Sequence, residues 1–332
     1  MKNFLLLTLF VLSIASCKVT SQIPNFKTAT IGCYNVENLF DTINQANNDE
    51  EYLPEGKNNW NSKIYKQKIK NTATALSVFQ NPLIMGLVEV ENKGVVEDLV
   101  KKYSFGSTSK YDVVHYDSPD ARGIDVAMIY NASELKLANS GILRFVNEND
   151  ASKPTRDIVW GKFVLGKDTI VAMVNHWPSR IGGEEKSEPG RIGAANAARK
   201  FIDSLLVVDK NYKIVLMGDL NDHPEDKAPQ IIDEVLTPMI TKSSGELGGS
   251  HTYDGKWDVL DHIFVSPGFL NKKSKTLVNS NSGKIHSPSF LLKWDEKYKE
   301  IKPQRTEVVN KGEYMFGYSD HLPVSIQVIV KE

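Results

Sequence analysis

The feature that most constrains this chain is a repeated arrangement in which apolar runs of strand character end in clusters of carboxylate, amide and imidazole side chains. Residues 28–34 lead into Asn35-Val36-Glu37-Asn38, and residues 82–88 into Glu89-Val90-Glu91-Asn92. Residues 169–174 lead into Asn175-His176-Trp177, and 213–217 into Gly218-Asp219-Leu220-Asn221-Asp222. A fifth cluster, Tyr318-Ser319-Asp320-His321-Leu322-Pro323, stands just before the alternation of Val324, Ile326 and Val328. Acids and bases gathered at strand mouths suit the hydrolysis of an anionic ester, which needs a positioned base and charge compensation.

The remaining pattern is an irregular alternation of strands and helices. Residues 111–116, 124–130, 158–165, 259–265 and 322–330 read as further strands. Tyr65, Ile69, Thr72, Leu76 and Phe79 recur every three or four residues and predict a helix of about five turns. Ser187 with Pro189 predicts the start of a second helix, with Ile192, Ala195, Ile202 and Leu205 facing inward. Residues 41–60, acidic and Asn-rich, and residues 271–316, Lys/Ser-rich, show no periodicity and read as disordered or functional loops.

The N-terminus bears on location. Lys2 precedes an apolar run, 4–14, that is too short to span a bilayer and reads as a secretory signal. It ends in Ile14-Ala15-Ser16-Cys17, which resembles a bacterial lipobox and implies lipidation of Cys17; an ordinary cleaved signal with a chance cysteine is the alternative. The expected organisation is a signal peptide at 1–16, a tether at 17–27 and one domain at 28–332. The expected location is the cell envelope, lipid-anchored to the outer membrane and facing the periplasm or the surface. Cys33 is then left alone, a buried inert thiol with no internal disulfide. With 40 Lys and Arg against 41 Asp and Glu, the net charge of −1 excludes an overall basic field for nucleic acid. A local basic patch stays open, with Lys272-Lys273-Ser274-Lys275 the best candidate for a groove-inserting loop and a solvated turn the plain alternative.

Taken in order from Asn35 to Pro323, the clusters resemble the endonuclease/exonuclease/phosphatase superfamily, which contains deoxyribonuclease I, the abasic-site endonucleases, sphingomyelinases and inositol polyphosphate 5-phosphatases. The opening Tyr34-Asn35-Val36-Glu37-Asn38-Leu39-Phe40-Asp41 looks most like its secreted bacterial nucleases. The resemblance implies a four-layer α/β sandwich, two packed mixed β-sheets flanked by helices, with one cleft at a common end of the sheets. It implies Mg²⁺ as cofactor, with Mn²⁺ or Ca²⁺ also admissible. Glu89 would ligate the ion, as a carboxylate suits a hard cation, with Asn35 and Asp320 in the metal shell. For Glu37 and Glu91 a solvated surface position is the competing reading. Asp219 would activate water and Asn221 hold the phosphate or the attacking oxygen, although such a turn can also use Asp and Asn merely to bond its own backbone. His321 would be charged, held by Asp261, and His176 would contact phosphate, with Asn175 a neighbour in the shell. The roles of Asp219, Asp261 and Asp320 are interchangeable at this level. Arg122, Arg156 and Arg191 are candidate phosphate clamps, with structural salt bridges as frequent an explanation, and Asp125 a possible internal partner for one of them. His262 faces away from Asp261, and His115, His223, His251 and His286 carry no motif. The expected activity is cleavage of DNA or RNA by a metal-dependent phosphodiesterase, with nucleic acid as substrate, the membrane as anchor, no protein partner and a monomeric state. The alternative is a phosphatase or phospholipase-type enzyme acting on inositol phosphates or lipid head groups.

Overall fold

The structure, a computed structural model, describes residues 26–45, 47–102, 110–145, 155–310 and 313–331. The signal peptide, the tether up to residue 25 and the lipidation site Cys17 lie outside the described residues. Eight strands carry the frame: β1 (Phe26–Leu39), β2 (Pro82–Val90), β3 (Tyr111–His115), β4 (Asp125–Asn131), β5 (Lys136–Leu143), β6 (Ile158–Leu165), β7 (Asp168–His176) and β8 (Lys213–Asp219). The first sheet runs Thr276–Val278, Val324–Lys331, β1, β2, β4, β3, with Lys284–Ile285 also pairing Val324–Lys331. The second runs β5, β6, β7, β8, Asp261–Val265, Thr237–Pro238.

Each sheet contains one parallel pair, β1 with β2 and β7 with β8, and every other pairing is antiparallel. A parallel pair needs a crossover, which α1 (Ser62–Leu76) supplies in the first sheet and α3 (Glu184–Val208) in the second. The antiparallel neighbours start where these four strands finish, which is why polar clusters distant in sequence meet at one end. On β7, Ala172 and Val174 face the first sheet, while Val171 and Met173 pack against Ala194, Ala195, Ala198 and Ile202 of α3. On the other side, Ile69, Ala73 and Leu76 of α1 and Val95, Val96 and Leu99 of α2 (Lys93–Lys102) cover the first sheet. The result is the four-layer sandwich. Its sheets approach closely at Gly86, where an added Cβ would lie 3.0 Å from Val174 and 3.2 Å from the Sγ of Cys33. Cys33 is free and fully buried there, and burial pushes its thiol pKa up.

Several local expectations change. α1 stops at Leu76, one turn short of Phe79; Ser77 caps it, and Phe79 instead packs beneath Gly32 and against His286. α3 starts at Glu184, so Pro189 sits inside it rather than opening it; the acidic Glu184 and Glu185 suit the positive end of the helix dipole. Of the residues expected to face inward on α3, Ala195 and Ile202 are fully buried and Ile192 and Leu205 partly so. β5 escapes sequence reading because it is an edge strand with mostly exposed or half-buried residues. Residues 271–316 are not a loop: they hold the two short strands that pair with Val324–Lys331 and two hairpins, Leu292–Asp295 with Glu300–Pro303 and Glu307–Asn310 with Glu313–Met315.

Candidate active site

The strand ends deliver their side chains through bulges. Register shifts interrupt the pairing of β1 with β2 between Asn35 and Leu39, and that of β2 with β4 between Val88 and Val90. Glu37, Asn38 and Glu89, together with Asn221 after β8, adopt positive φ between 51° and 66°. Such left-handed backbone is costly for non-glycine residues and bends a strand end so that it re-aims a side chain.

Asp219 lies at the centre. Its Oδ2 accepts a hydrogen bond from Asn35 Nδ2 at 3.0 Å and its Oδ1 one from the backbone N–H of Asn221 at 3.0 Å. The Nε2 atoms of His176 and His321 stand 3.8 and 3.7 Å from the same Oδ2. Burial, reinforced by Asp261 and opposed by His321, pushes the Asp219 pKa up to about 7. His321 Nδ1 is 2.7 Å from Asp261 Oδ2, and Ser250 Oγ donates to that oxygen at 2.7 Å. Burial opposes charge on His321, but Asp261 and Asp219 outweigh it and raise its pKa well above 6.5. His176 goes the other way: burial, with Arg156, Arg122 and His321 nearby, holds it well below 6.5 and neutral.

Oxygen donors stand alongside. Glu89 Oε2 accepts from Asn38 N at 3.1 Å, and its Oε1 is 3.9 Å from His176 Nε2 and 3.7 Å from Arg122 Nη2. Asp320 lies 4.0 Å from His321 Nε2 and 3.6 Å from Arg305 Nη2; burial works against its charge, but His321 and Arg305 hold its pKa low. Asn35 is occupied at both ends of its amide, since Oδ1 accepts the N–H of Glu37 at 3.0 Å. Glu37 and Glu91 are not solvated surface residues. Both are buried, and burial raises each to about pKa 8. Glu37 pairs with Arg305, whereas Glu91 takes the backbone N–H of Asp41 at 2.8 Å. Among the described residues Glu37 Oε2 has no hydrogen-bond partner. A buried, unpartnered carboxylate oxygen close to further acids fits a hard divalent cation.

The arginines separate. Arg122 is half exposed on the rim beside Glu89. Arg156 is buried, tied to Asp120 Oδ2 and to the carbonyl of Trp177 at 2.9 Å each. That carbonyl also accepts from Asn221 Nδ2 at 3.0 Å, so Arg156 braces the loop carrying Asn221 and offers no free fork to phosphate. Arg191 is no clamp at all: fully buried, it ion-pairs with Asp222 at 2.6 Å behind the site. Asp125 partners His115 at 3.0 Å and Ser118, not an arginine. Asn175 lies under the site, accepting from Trp177 Nε1 at 3.1 Å and donating to Met217 O at 3.3 Å, rather than in the shell. His262 faces away, 2.8 Å from the carbonyl of Asp222. Lys272-Lys273-Ser274-Lys275 belongs to the opposite end of the sheets, where Lys275 O accepts from Lys331 N and Thr276 N donates to Asp168 at the start of β7.

Sequence reasoning missed Lys68, Arg305, Ser250 and Tyr52. Lys68 sits on the inward face of α1, four residues before Thr72, and donates to Tyr318 O at 2.8 Å; a lysine on that stripe was the available signal. Arg305 lies in a segment without periodicity and gave none. His115, Asp117 and Asp125 form a separate group of ligand-type atoms within 4.8 Å of one another.

The profile of the Endonuclease/Exonuclease/phosphatase family matches residues 30–330, and the chain belongs to that family. Its members are phosphoester hydrolases and generally depend on divalent metal. No functionally curated protein matches the sequence. Among solved structures, the fold is similar to a family member from Bacteroides thetaiotaomicron at 15% identity, covering 93% of this chain and 97% of that one, with TM-score 0.56. A mannosyl-6-phosphatase from the same organism is similar at 16% identity, with 90% and 99% covered and TM-score 0.53. D. rerio TDP2 complexed with a single-strand DNA product is similar at 12% identity, with 91% and 98% covered and TM-score 0.56.

Proposed function

We propose that this chain hydrolyses phosphoesters by attack of a water that Asp219 orients and deprotonates. The observation that carries the reading is the setting of Asp219: a buried carboxylate fixed by Asn35 and the Asn221 N–H, with two imidazoles of opposite protonation bias within 4 Å. Raised towards neutrality by burial, Asp219 is matched to accept a proton near pH 7. His321, kept cationic by Asp261, lies where it offsets charge growing on the phosphate. Neutral His176 offers a hydrogen bond from Nε2, and Arg122 on the rim reaches a phosphate oxygen. Glu89, Asp320 and Glu37, with Asn35 beside them, would hold a divalent cation such as Mg²⁺, which would neutralise phosphate charge.

Cleavage of nucleic-acid phosphodiesters and hydrolysis of a phosphomonoester both suit this chemistry. The monoester reading gains from the placement of Lys272-Lys273-Ser274-Lys275, the candidate groove-inserting loop, at the end of the sheets away from the cleft. Lipidation at Cys17 and location at the cell envelope belong to the same proposal. The deciding experiment is metal-dependent hydrolysis of a panel holding duplex DNA, single-stranded DNA, RNA, inositol polyphosphate, sphingomyelin and small phosphomonoesters, with chelator as blank. Turnover of at least one ester, abolished by chelator, supports the reading; inertness towards all of them with Mg²⁺, Mn²⁺ and Ca²⁺ refutes it.

A further inference from the structure

A cavity of about 400 Å³ opens beside Glu37 and Asn38, and apart from Glu37 its walls take no part in the chemistry above. Its walls come from the two stretches without periodicity: Tyr52 and Trp60 from one, Lys302, Arg305 and Tyr314 from the other. It borders the reaction centre through Glu37 and Asn38, since the N–H of Asn38 holds Glu89 and the N–H of Glu37 bonds Asn35. Burial, with Glu89 and Glu37 near by, pushes the Tyr52 phenol pKa up, in keeping with a ring set between cavity and acids.

The aromatic wall is braced. Phe40 stacks on Tyr52 at 4.0 Å, Tyr52 meets Trp60 edge-on at 5.5 Å, and Trp60 meets Tyr314 at 5.8 Å. Trp60 Nε1 donates to Phe40 O at 2.9 Å, and the Tyr314 hydroxyl donates to Asn58 O. The cavity is also lined by Glu37 and Arg305, paired with each other, and by Lys302, paired with Asp295 at 2.7 Å. The volume falls near the lower end of small-molecule sites, roughly 300–1,000 Å³, so the cavity admits one monomeric unit. An acyl chain would press the Glu37–Arg305 and Lys302–Asp295 ion pairs against hydrocarbon, which is costly. A sugar ring satisfies both halves: its C–H face packs on aromatic side chains, and its hydroxyls accept from the Lys302 and Arg305 side chains.

We infer that this cavity is the subsite for a single sugar ring carrying the phosphate presented to Asp219, an inference that rests on the hydrolase reading. The ring has two sources, a free sugar phosphate or a mononucleotide. The test is steady-state hydrolysis by the full chain with Mg²⁺ of a hexose 6-phosphate, a nucleoside 5′-monophosphate and p-nitrophenyl phosphate. Wild type should favour one of the sugar esters over p-nitrophenyl phosphate by about tenfold or more in kcat/KM, and the faster ester identifies the source. Tyr314→Ala should cut that preference about tenfold through KM, whereas Tyr314→Phe, which keeps the ring, should retain it. Lys302→Ala, which removes no ring, should shift the ratio in the same direction as Tyr314→Ala. A wild-type ratio near one, or variants that lower all three esters alike, overturns the subsite and leaves the hydrolase reading standing. No turnover of any of the three esters by wild type overturns the subsite, while the hydrolase reading falls only if the wider panel of phosphodiesters is inert as well.

Discussion

Asp219 is held by hydrogen bonds from β1 and from the turn after β8, so its geometry is set before substrate arrives, the condition under which a general base is most effective. Its motif was legible in the sequence because a strand pattern ran directly into Gly218-Asp219-Leu220-Asn221. His321 stood out beside a strand pattern too, whereas its pairing with Asp261 at 2.7 Å, which joins two motifs 60 residues apart, was implied only by the family resemblance. Arginines were not legible in this way, since a guanidinium serves a clamp and a buried brace equally well and only burial distinguishes them. Arg191 is the test case. Arg191→Ala should destabilise the fold by roughly 3–5 kcal/mol in chemical denaturation, because buried Asp222 loses its nearer partner and keeps only Arg180 at 3.3 Å. A loss below about 1 kcal/mol, the scale of an exposed ion pair, would contradict the placement.

At the level of elements, strands buried on both faces and ending in a polar cluster announced themselves, and so did the apolar stripe of α1. Edge strand β5 and the hairpins between residues 292 and 315 did not, because exposed two-stranded segments leave little apolar alternation to read. The bulges at Glu37 and Glu89 were equally hidden, since glutamate gives no local sign that its φ is positive. Gly218 is the element on which the site most depends. Its φ is 145°, and an added Cβ would meet the carbonyl oxygen of Asn175 at 2.0 Å, so Gly218→Ala must separate β7 from β8 where they present His176 and Asp219. Loss of roughly 2–3 kcal/mol of stability together with a fall in activity is expected; wild-type melting and turnover would rule this out. His286 supplies a pH test away from the acids. Its Nε2 is 2.7 Å from Ser325 Oγ, and burial, with Lys284 near by, lowers its pKa to about 4. A folded pKa below the unfolded 6.5 means the unfolded chain binds the proton first. Stability from this group is therefore intact above about pH 6.5 and declines as pH falls towards 4, by on the order of 1–2 kcal/mol. In His286→Gln that portion of the decline should disappear from denaturation curves taken between pH 7 and pH 4.

The whole molecule explains why one chain needs five separated motifs. Two sheets, each with a parallel pair crossed over by a helix, end at a shared edge, and every motif is a strand terminus or a strand start at that edge. The order of clusters was readable, but their convergence was not, because only the family resemblance implied that the two sheets pack face to face. Cys17 belongs to this scale as well. If it carries lipid, Cys17→Ser should move the protein from the membrane pellet to the soluble fraction, and continued pelleting would count against anchoring. The central claim is that Asp219 activates water in the cleft common to both sheets. The direct measurement is kcat/KM for whichever ester the wild type hydrolyses, compared with Asp219→Asn, a variant of nearly the same shape whose fold is checked by circular dichroism. A loss of about 10²-fold to 10⁴-fold in a folded variant is the result expected for a general base. A folded Asp219→Asn protein that retains wild-type turnover would contradict the account.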